Sequence, residues 1–327
     1  MTSCNCDKSL MFAFVRSLWL FWGALLIGVN PLWAQQDPQF TQYMYNRFGL
    51  NPGAAGYAGA WQITGLGRLQ WLGIDGHPTT FALNVHTPVN FLRGGVGLSL
   101  LGDQIGPFRT TDIKAAYAFR IPFGESGTSI QLGLAGGVIN KSLDGASLRP
   151  EQIPDPTLFN RATSILLPDV GAGVYFSLPE DKFYLGVSAM HLTEPKLKDF
   201  TSTGRSKLAR HFYATAGFTG RLAENVLLQP SAFFKIAQSQ YMLDLNLSLR
   251  VQPVVIGASY RLGDAVCALL GLQASDALFV GYSYDYTLSR LGAVTTGSHE
   301  LVIVYTFAPA LRLIPPDYGV RDRKDFR

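Results

Sequence analysis

The sequence has little cysteine, little charge and almost no long apolar runs. Cys4 and Cys6 lie at the extreme N-terminus, so Cys267 is the only cysteine in the rest of the 327-residue chain. One cysteine cannot form an intramolecular disulfide, and we interpret Cys267 as a small hydrophobic residue. Charged residues make up 15% of the chain, whereas about a quarter is usual for soluble proteins. This shortage suits a protein whose outer surface contacts lipid.

Signatures of catalysis and cofactor binding are also missing. The sequence contains no Gly-x-Ser-x-Gly motif, phosphate-binding glycine loop or nucleotide fingerprint. The histidines are not spaced as metal ligands; they are His77, His86, His191, His211 and His299. His211 and Asp244 could join a serine in a hydrolase triad, but a chain of this size always offers such a set. We therefore expect no enzyme activity, no catalytic residues, and no cofactor or metal site.

The net charge of +4 is modest and shows no cluster before the C-terminus. It gives no reason to expect a nucleic-acid partner.

The one helix-like apolar run lies near the N-terminus. It covers residues 18–29, follows Lys8 and Arg16, and precedes a breaker at Pro31 and a small residue at Ala34. This order predicts a cleavable secretory signal peptide at residues 1–34. The alternative is an uncleaved membrane anchor, for which the run is short.

From residue 61 onward the chain shows the alternation of β-strands. The stretch around Leu245 and Asn246 illustrates it, because apolar and polar residues alternate there along the sequence. A period of two residues with β-branched and aromatic enrichment predicts strands. We predict fourteen: 61–72, 79–89, 95–101, 111–121, 129–139, 169–178, 183–192, 210–222, 226–236, 241–251, 254–262, 266–274, 277–289 and 298–307.

Connection lengths decide what these strands build. Alternation fits a soluble sandwich, or a membrane barrel with apolar residues toward lipid and polar residues toward the lumen. Long connections follow odd-numbered strands, at 102–109, 140–168, 193–209 and around Thr295. Short ones follow even-numbered strands, at 90–93, 122–127, 179–182, 223–225, 252–253 and 275–276. In an up-and-down barrel, the connections after odd-numbered strands lie at one end and those after even-numbered strands lie at the other. A Greek-key sandwich gives no reason for long and short loops to separate in this way.

We therefore predict an all-β fold: an up-and-down antiparallel transmembrane β-barrel of about 14 strands at residues 61–307. It would be integral to the outer membrane, with its termini periplasmic. Glycines within the strands, as in 132–137 and 170–173, are interpreted as sites of curvature rather than as room for a plug.

The segments that flank the predicted barrel do not alternate. Phe40, Met44 and Arg47 are at helical spacing, so we expect residues 35–60 to form an ordered periplasmic or lumenal segment. The alternative is an extended lead-in. Residues 308–327 contain Pro309 and Pro315 and end in a small basic cluster. They are interpreted as a solvated periplasmic tail rather than a docking peptide.

Several segments, taken in order, resemble the PorP/SprF family of Bacteroidetes outer-membrane proteins. They are DPQFTQYMYNRFGLNPGAAGY (37–57), QWLGIDGHPTTFALNVHTPV (70–89), PDVGAGVYFS (168–177), DKFYLGVSAMHL (181–192), ARHFYATAGFT (209–219), IGASYRLGDAVCALLGLQ (256–273) and GYSYDYTLSRLGAVTTGSHELVIVYTF (281–307). The resemblance spans roughly residues 37–307. It departs at Arg47, Phe48 and Gly49, where another apolar turn would be expected.

The resemblance implies a non-enzymatic outer-membrane component of the type IX protein secretion machinery and, in gliding members, of the motility machinery. The implied partners are that system's periplasmic proteins and lipoproteins, outer-membrane lipid, and a secreted cell-surface protein or adhesin, bound or anchored through its C-terminal domain. The family has no catalytic motif to transfer. The alternative is a passive or gated channel for a small solute, since barrels of this size can enclose a lumen. A plugged lumen would favour docking, and a continuous pore would favour transport.

Overall fold

The structure is a computed structural model and describes residues 37–123, 127–145, 163–197 and 207–307. The predicted signal peptide and the predicted C-terminal tail lie outside these residues. Within the described ranges, no helix combines the length and the apolar character needed to cross a membrane.

Antiparallel strands make up most of the described chain. They are β1 (Trp61–Leu69), β2 (Thr79–Val89), β3 (Gly94–Ile105), β4 (Phe108–Phe123), β5 (Thr128–Leu143), β6 (Thr163–Ser177), β7 (Phe183–Met190), β8 (His211–Phe218), β9 (Gly220–Ala223), β10 (Val226–Ala237), β11 (Gln240–Val251), β12 (Val254–Arg261), β13 (Ala265–Gln273), β14 (Leu278–Thr287) and β15 (Ser298–Phe307).

The sheet closes on itself. Each strand pairs with its neighbours, and β15 pairs with β1, with Phe307 opposite Trp61. Strands β8 and β9 are separated by Thr219 and both pair with β10, so together they occupy one place in the sheet. The result is the predicted closed barrel of 14 strands, which confirms the predicted fold class.

The predicted loop at 102–109 is wrong. Strand β3 continues to Ile105 and β4 begins at Phe108, so the connection is only Gly106 and Pro107. The apolar alternation weakens near Asp103, whereas the strand pairing continues beyond it. The apolar alternation marks only the part of a strand that contacts lipid. It therefore ends before the hydrogen-bonded pairing of β3 and β4 ends.

Alternation along each strand separates a lipid-facing surface from a polar interior. On β11, Leu245 and Leu247 are 49% and 53% exposed, whereas Asn246 between them is 4% exposed. Many large apolar side chains share the outer surface, including Leu98, Leu134, Leu166, Val187, Ile256 and Leu270. Buried polar side chains share the inner one, including Arg68, Asn84, Lys114, Gln131, Asp285 and Glu300. This is the arrangement expected of a barrel in lipid.

The two ends of the barrel differ in their connections. One end, here called the short-turn end, carries connections such as 90–93, 224–225 and 252–253. The other, here called the long-loop end, carries the longest ones, at 70–78, 144–162, 191–210 and 288–297, together with tight turns such as 106–107 and 238–239. The sheet begins and ends at the short-turn end, which is the predicted periplasmic side.

Leu245→Arg is expected to lower the free energy of unfolding by about 2 to 4 kcal/mol, because a charge in the middle of β11 would face hydrocarbon. Urea titration in lipid vesicles, followed by tryptophan fluorescence, measures the loss. The matched control is Asn246→Arg, whose side chain faces a cavity in the lumen. We expect it to cost much less, and equal losses in the two variants would contradict the assigned orientation.

Candidate functional site

Residues 37–60 precede β1 and lie inside the barrel; they are called the lumenal segment below. The segment contains a 3-10 turn (Tyr43–Tyr45), one α-helical turn (Arg47–Leu50) and a second 3-10 turn (Pro52–Ala54). It forms hydrogen bonds with strands on all sides of the barrel, from β1 and β15 to β6 and β10. The described part of the lumen is therefore occupied by the protein's own chain.

Glycines in the wall let the lumenal segment approach the sheet. A Cβ atom at Gly133 on β5 would lie 2.2 Å from the backbone nitrogen of Gly53, and one at Gly173 on β6 would lie 2.0 Å from the side-chain oxygen of Asn51. Both distances are far below van der Waals contact. The interpretation of these two glycines as sites of curvature alone is wrong, because their missing side chains leave room for the segment.

A network of buried charges on the wall holds the start of the lumenal segment. We call it the arginine cluster; its members are Arg68, Asp244, Arg261, Asp285 and Glu300. Arg68 lies 2.8 Å from Asp285 and 3.1 Å from Glu300, and Arg261 lies 3.0 Å from Asp285 and 3.2 Å from Asp244. All five side chains are almost fully buried. Buried charges are tolerated only when they are paired, and here each has a partner.

The lumenal segment completes this network through two consecutive residues. The backbone N–H groups of Thr41 and Gln42 each donate to one carboxylate oxygen of Glu300, both at 2.8 Å. The Thr41 hydroxyl accepts from Arg68 at 3.0 Å and from Arg261 at 2.9 Å, and it donates to Asp285 at 2.7 Å. The Thr41 hydroxyl thus forms hydrogen bonds with side chains of three strands.

Near the long-loop end, Asp37 meets two histidines; with Asp169 they form what we call the histidine cluster. Nε2 of His191 lies 2.9 Å from Asp37 Oδ2, and its Nδ1 lies 2.9 Å from Asp169 Oδ2. The backbone N–H of Asp37 donates to Nε2 of His211 at 3.1 Å, and Nδ1 of His211 donates to the carbonyl oxygen of Ala209 at 3.1 Å. The start of the lumenal segment is therefore fixed to the ends of β7 and β8.

The neighbours of Asp37 and His191 move their pKa values in opposite directions. Removal from bulk water alone would raise the pKa of Asp37, but His191 and His211 outweigh this effect and hold it well below its usual range. Removal from water would lower the pKa of His191, but Asp37 and the hydrogen bond with Asp169 raise it to about 9. Without another cation, Asp37 and His191 form an ion pair at neutral pH.

Arg47 anchors the lumenal segment toward the short-turn end. It donates to the carboxylate of Asp181 at 2.9 Å and to the hydroxyl of Tyr175 at 3.0 Å. Its guanidinium group lies over the ring of Tyr184, 3.8 Å from the ring centre, an arrangement that arginine favours. Arg47 therefore ties the segment to the β6–β7 turn.

Two cavities lie on either side of the lumenal segment. One, of about 350 Å³, is called the vestibule; it is lined by Tyr45, Arg47 and Arg250 and by turn residues of the short-turn end such as Asp276. The other, of about 60 Å³, is lined by the segment itself, by Lys114 and by wall residues nearer the histidine cluster. Neighbouring residues of the segment line different cavities, so the segment lies between them.

The structure shows where the residues considered for a hydrolase triad lie. His211 contacts Asp37 and Ala209, whereas Asp244 binds Ser259 and Arg261. The two members of the supposed triad therefore have separate partners. His86 and Cys267 are buried on the inner face.

Sequence spacing did not reveal the meeting of Asp37 with His191 and His211, because 154 and 174 residues separate it from them. The available signal was weaker: a polar residue at an inward position of an alternating strand, as at His211.

Thr41→Val is expected to loosen the lumenal segment while leaving the barrel intact. The change removes the acceptor of two buried arginines, which should cost about 1 to 3 kcal/mol and speed local amide exchange about 5- to 150-fold. Hydrogen–deuterium exchange of peptides covering residues 37–60 measures this effect. The matched control is Thr79→Val, whose side chain is exposed. Unchanged exchange in Thr41→Val would show that the arginine cluster does not hold the segment.

Comparisons with known proteins give a family and several similar folds. Residues 32–305 match the family described as type IX secretion system membrane protein PorP/SprF. A comparison with curated proteins gave no significant match.

Similar solved structures include the outer membrane protein Omp33 of Acinetobacter baumannii, with 12% identity over 76% of this chain and 98% of that chain and a TM-score of 0.43. The translocator domain of the autotransporter NalP from Neisseria meningitidis has 10% identity over 92% and 98%, with a TM-score of 0.40. A Pseudomonas aeruginosa FadL homologue has 12% identity over 76% and 89%, with a TM-score of 0.38. The family match covers most of the chain, and the protein belongs to the PorP/SprF family of type IX secretion system membrane proteins.

Proposed function

We propose that the protein is a non-enzymatic docking component of the type IX secretion machinery, which binds or anchors an exported cell-surface protein at the outer membrane. The observation that carries the proposal is the occupied lumen. The lumenal segment lies between the two cavities and is fixed by the arginine cluster, by the histidine cluster and by Arg47. A barrel filled in this way is suited to present fixed surfaces at its two ends.

The energetics of the anchors support docking over conduction. Leaving a buried polar group without its hydrogen-bond partner costs about 1 to 3 kcal/mol, and more when the group is charged. Withdrawal of the lumenal segment would leave Glu300 without two N–H donors and Asp285 without the Thr41 hydroxyl, and it would separate Arg47 from Asp181. Spontaneous opening of a solute path would therefore be rare.

The vestibule supports a contact with a periplasmic partner at the short-turn end. Its lining carries both signs of charge, from Arg47 and Arg250 and from Asp181 and Asp276. The Nε–H of Arg250 has no hydrogen-bond partner among the described residues. A carboxylate of a partner protein that entered the vestibule would pair with the guanidinium group of Arg250, which lines it. The long-loop end is left for the exported protein.

Affinity purification of the detergent-solubilised protein from its native outer membrane tests the docking role. We expect periplasmic proteins and lipoproteins of the type IX machinery, and an exported surface protein, to be identified by mass spectrometry in the eluate. Arg250→Gln should weaken the periplasmic contact about 10- to 100-fold if a charge-assisted hydrogen bond is lost. Arg221→Gln is the matched control, because Arg221 is exposed at the same end and outside the vestibule.

Conductance separates docking from the alternative, a passive or gated channel for a small solute. In planar bilayers the wild-type protein is expected to show no stable open state. A protein that purifies alone and passes solutes into liposomes would replace the docking proposal with the channel.

A further inference from the structure

We propose that Asp37, His191 and His211 bind a divalent transition-metal cation, with Zn²⁺ as the foremost candidate. Each residue offers one ligand atom, and these atoms all lie within 4.8 Å of one another. The bound metal would fasten the start of the lumenal segment to β7 and β8. This inference does not depend on the docking role, because it concerns only how the segment is held.

The orientation of both histidines supports a metal. Nδ1 of His191 faces the carboxylate of Asp169, and Nδ1 of His211 faces the carbonyl of Ala209. An acceptor at Nδ1 fixes the tautomer that carries its proton there, so Nε2 keeps its lone pair. Metal-binding histidines are almost always held by such an outer hydrogen bond to a carboxylate or carbonyl oxygen. Nε2 of His191 faces the carboxylate of Asp37, the third ligand, whereas Nε2 of His211 accepts the backbone N–H of Asp37, a hydrogen bond that the metal would replace.

The contact between His191 and Asp37 requires a cation. With the proton on Nδ1, the lone pair of Nε2 faces two carboxylate oxygens at 2.9 and 3.0 Å. Two acceptors at that distance repel unless a second ring proton or a metal ion lies between them. A proton on Nε2 of His191 satisfies this pair; a metal ion would replace that proton and would bind Nε2 of His211 in place of the Asp37 N–H.

The donor set indicates which cation binds. Two imidazole nitrogens and one carboxylate oxygen suit Zn²⁺ and related first-row ions, whereas Ca²⁺ and Mg²⁺ prefer all-oxygen sites. The fourth position is open to water or to the hydroxyl of Tyr213, which already donates to Asp37. Zinc bonds of about 2.0 to 2.1 Å place ligand atoms about 3.3 Å apart in a tetrahedron. Asp37 lies outside the strands and can move to complete the site.

Metal analysis of protein purified without a polyhistidine tag tests the site. The protein is stripped with EDTA, equilibrated with ZnCl₂, freed of unbound metal by gel filtration, and assayed by inductively coupled plasma mass spectrometry. We expect close to one zinc ion per wild-type chain and little in Asp37→Asn or His211→Gln. Asp169→Asn should bind about 10- to 100-fold more weakly, because the outer hydrogen bond is lost. His299→Gln, at the partner of the Tyr282 hydroxyl, should bind like the wild type.

Cobalt substitution gives a second readout that does not depend on the strand variants. Co²⁺ should give the absorption bands of a four-coordinate site in the wild type and not in Asp37→Asn, which alters no strand. Wild-type protein that retains no zinc would overturn the proposal. Equal zinc in wild type and Asp37→Asn would overturn it too, because it would indicate an adventitious ion only.

Discussion

The rest of the structure depends on the hydrogen bonds and ion pairs that buried polar groups of the barrel wall form with the lumenal segment. An outer-membrane barrel turns its apolar side chains to lipid, so its polar side chains face inward. Arg68, Arg261, Asp285 and Glu300 are thereby removed from bulk water and need partners. The lumenal segment has the opposite need, because its backbone belongs to no sheet. Glu300 accepts two of its N–H groups, and Thr41 in turn serves both arginines.

The proposed docking function rests on this mutual dependence of wall and segment. The protein is integral to the outer membrane, yet its interior is a packed polar core with a peptide at its centre. Charge pairs hold that peptide where the wall is polar. Glycines such as Gly133 have no side chain and so let the backbone of the peptide lie directly against the wall. What remains available for recognition is the long-loop end and the vestibule. A protein of the type IX secretion machinery can use such ends to bind partners on two sides of one membrane.

Much of the barrel was predictable from the sequence, because successive residues of a strand face opposite sides of the sheet and are apolar toward lipid and polar toward the lumen. Leu245 and Asn246 show this directly. Strand ends were less predictable, since pairing around Asp103 continues where lipid contact has ceased. The anchors of the lumenal segment could not be predicted, because they join residues far apart in the chain, such as Thr41 and Glu300, which are 259 positions apart. No local pattern records a contact of that kind.

The path of the lumenal segment also constrains how the barrel forms. Asp37 lies beside the long-loop ends of β7 and β8, whereas Trp61 starts β1 at the short-turn end. The segment therefore runs along the lumen before the sheet begins. Once β1 has paired with β15, the closed wall leaves only the barrel ends as entrances. In a closed, empty barrel Glu300 would lack the N–H donors of Thr41 and Gln42, and burying it without them would be costly, so we expect the segment to enter before closure. We therefore expect insertion of the segment and closure of the sheet to be coupled steps of one folding reaction.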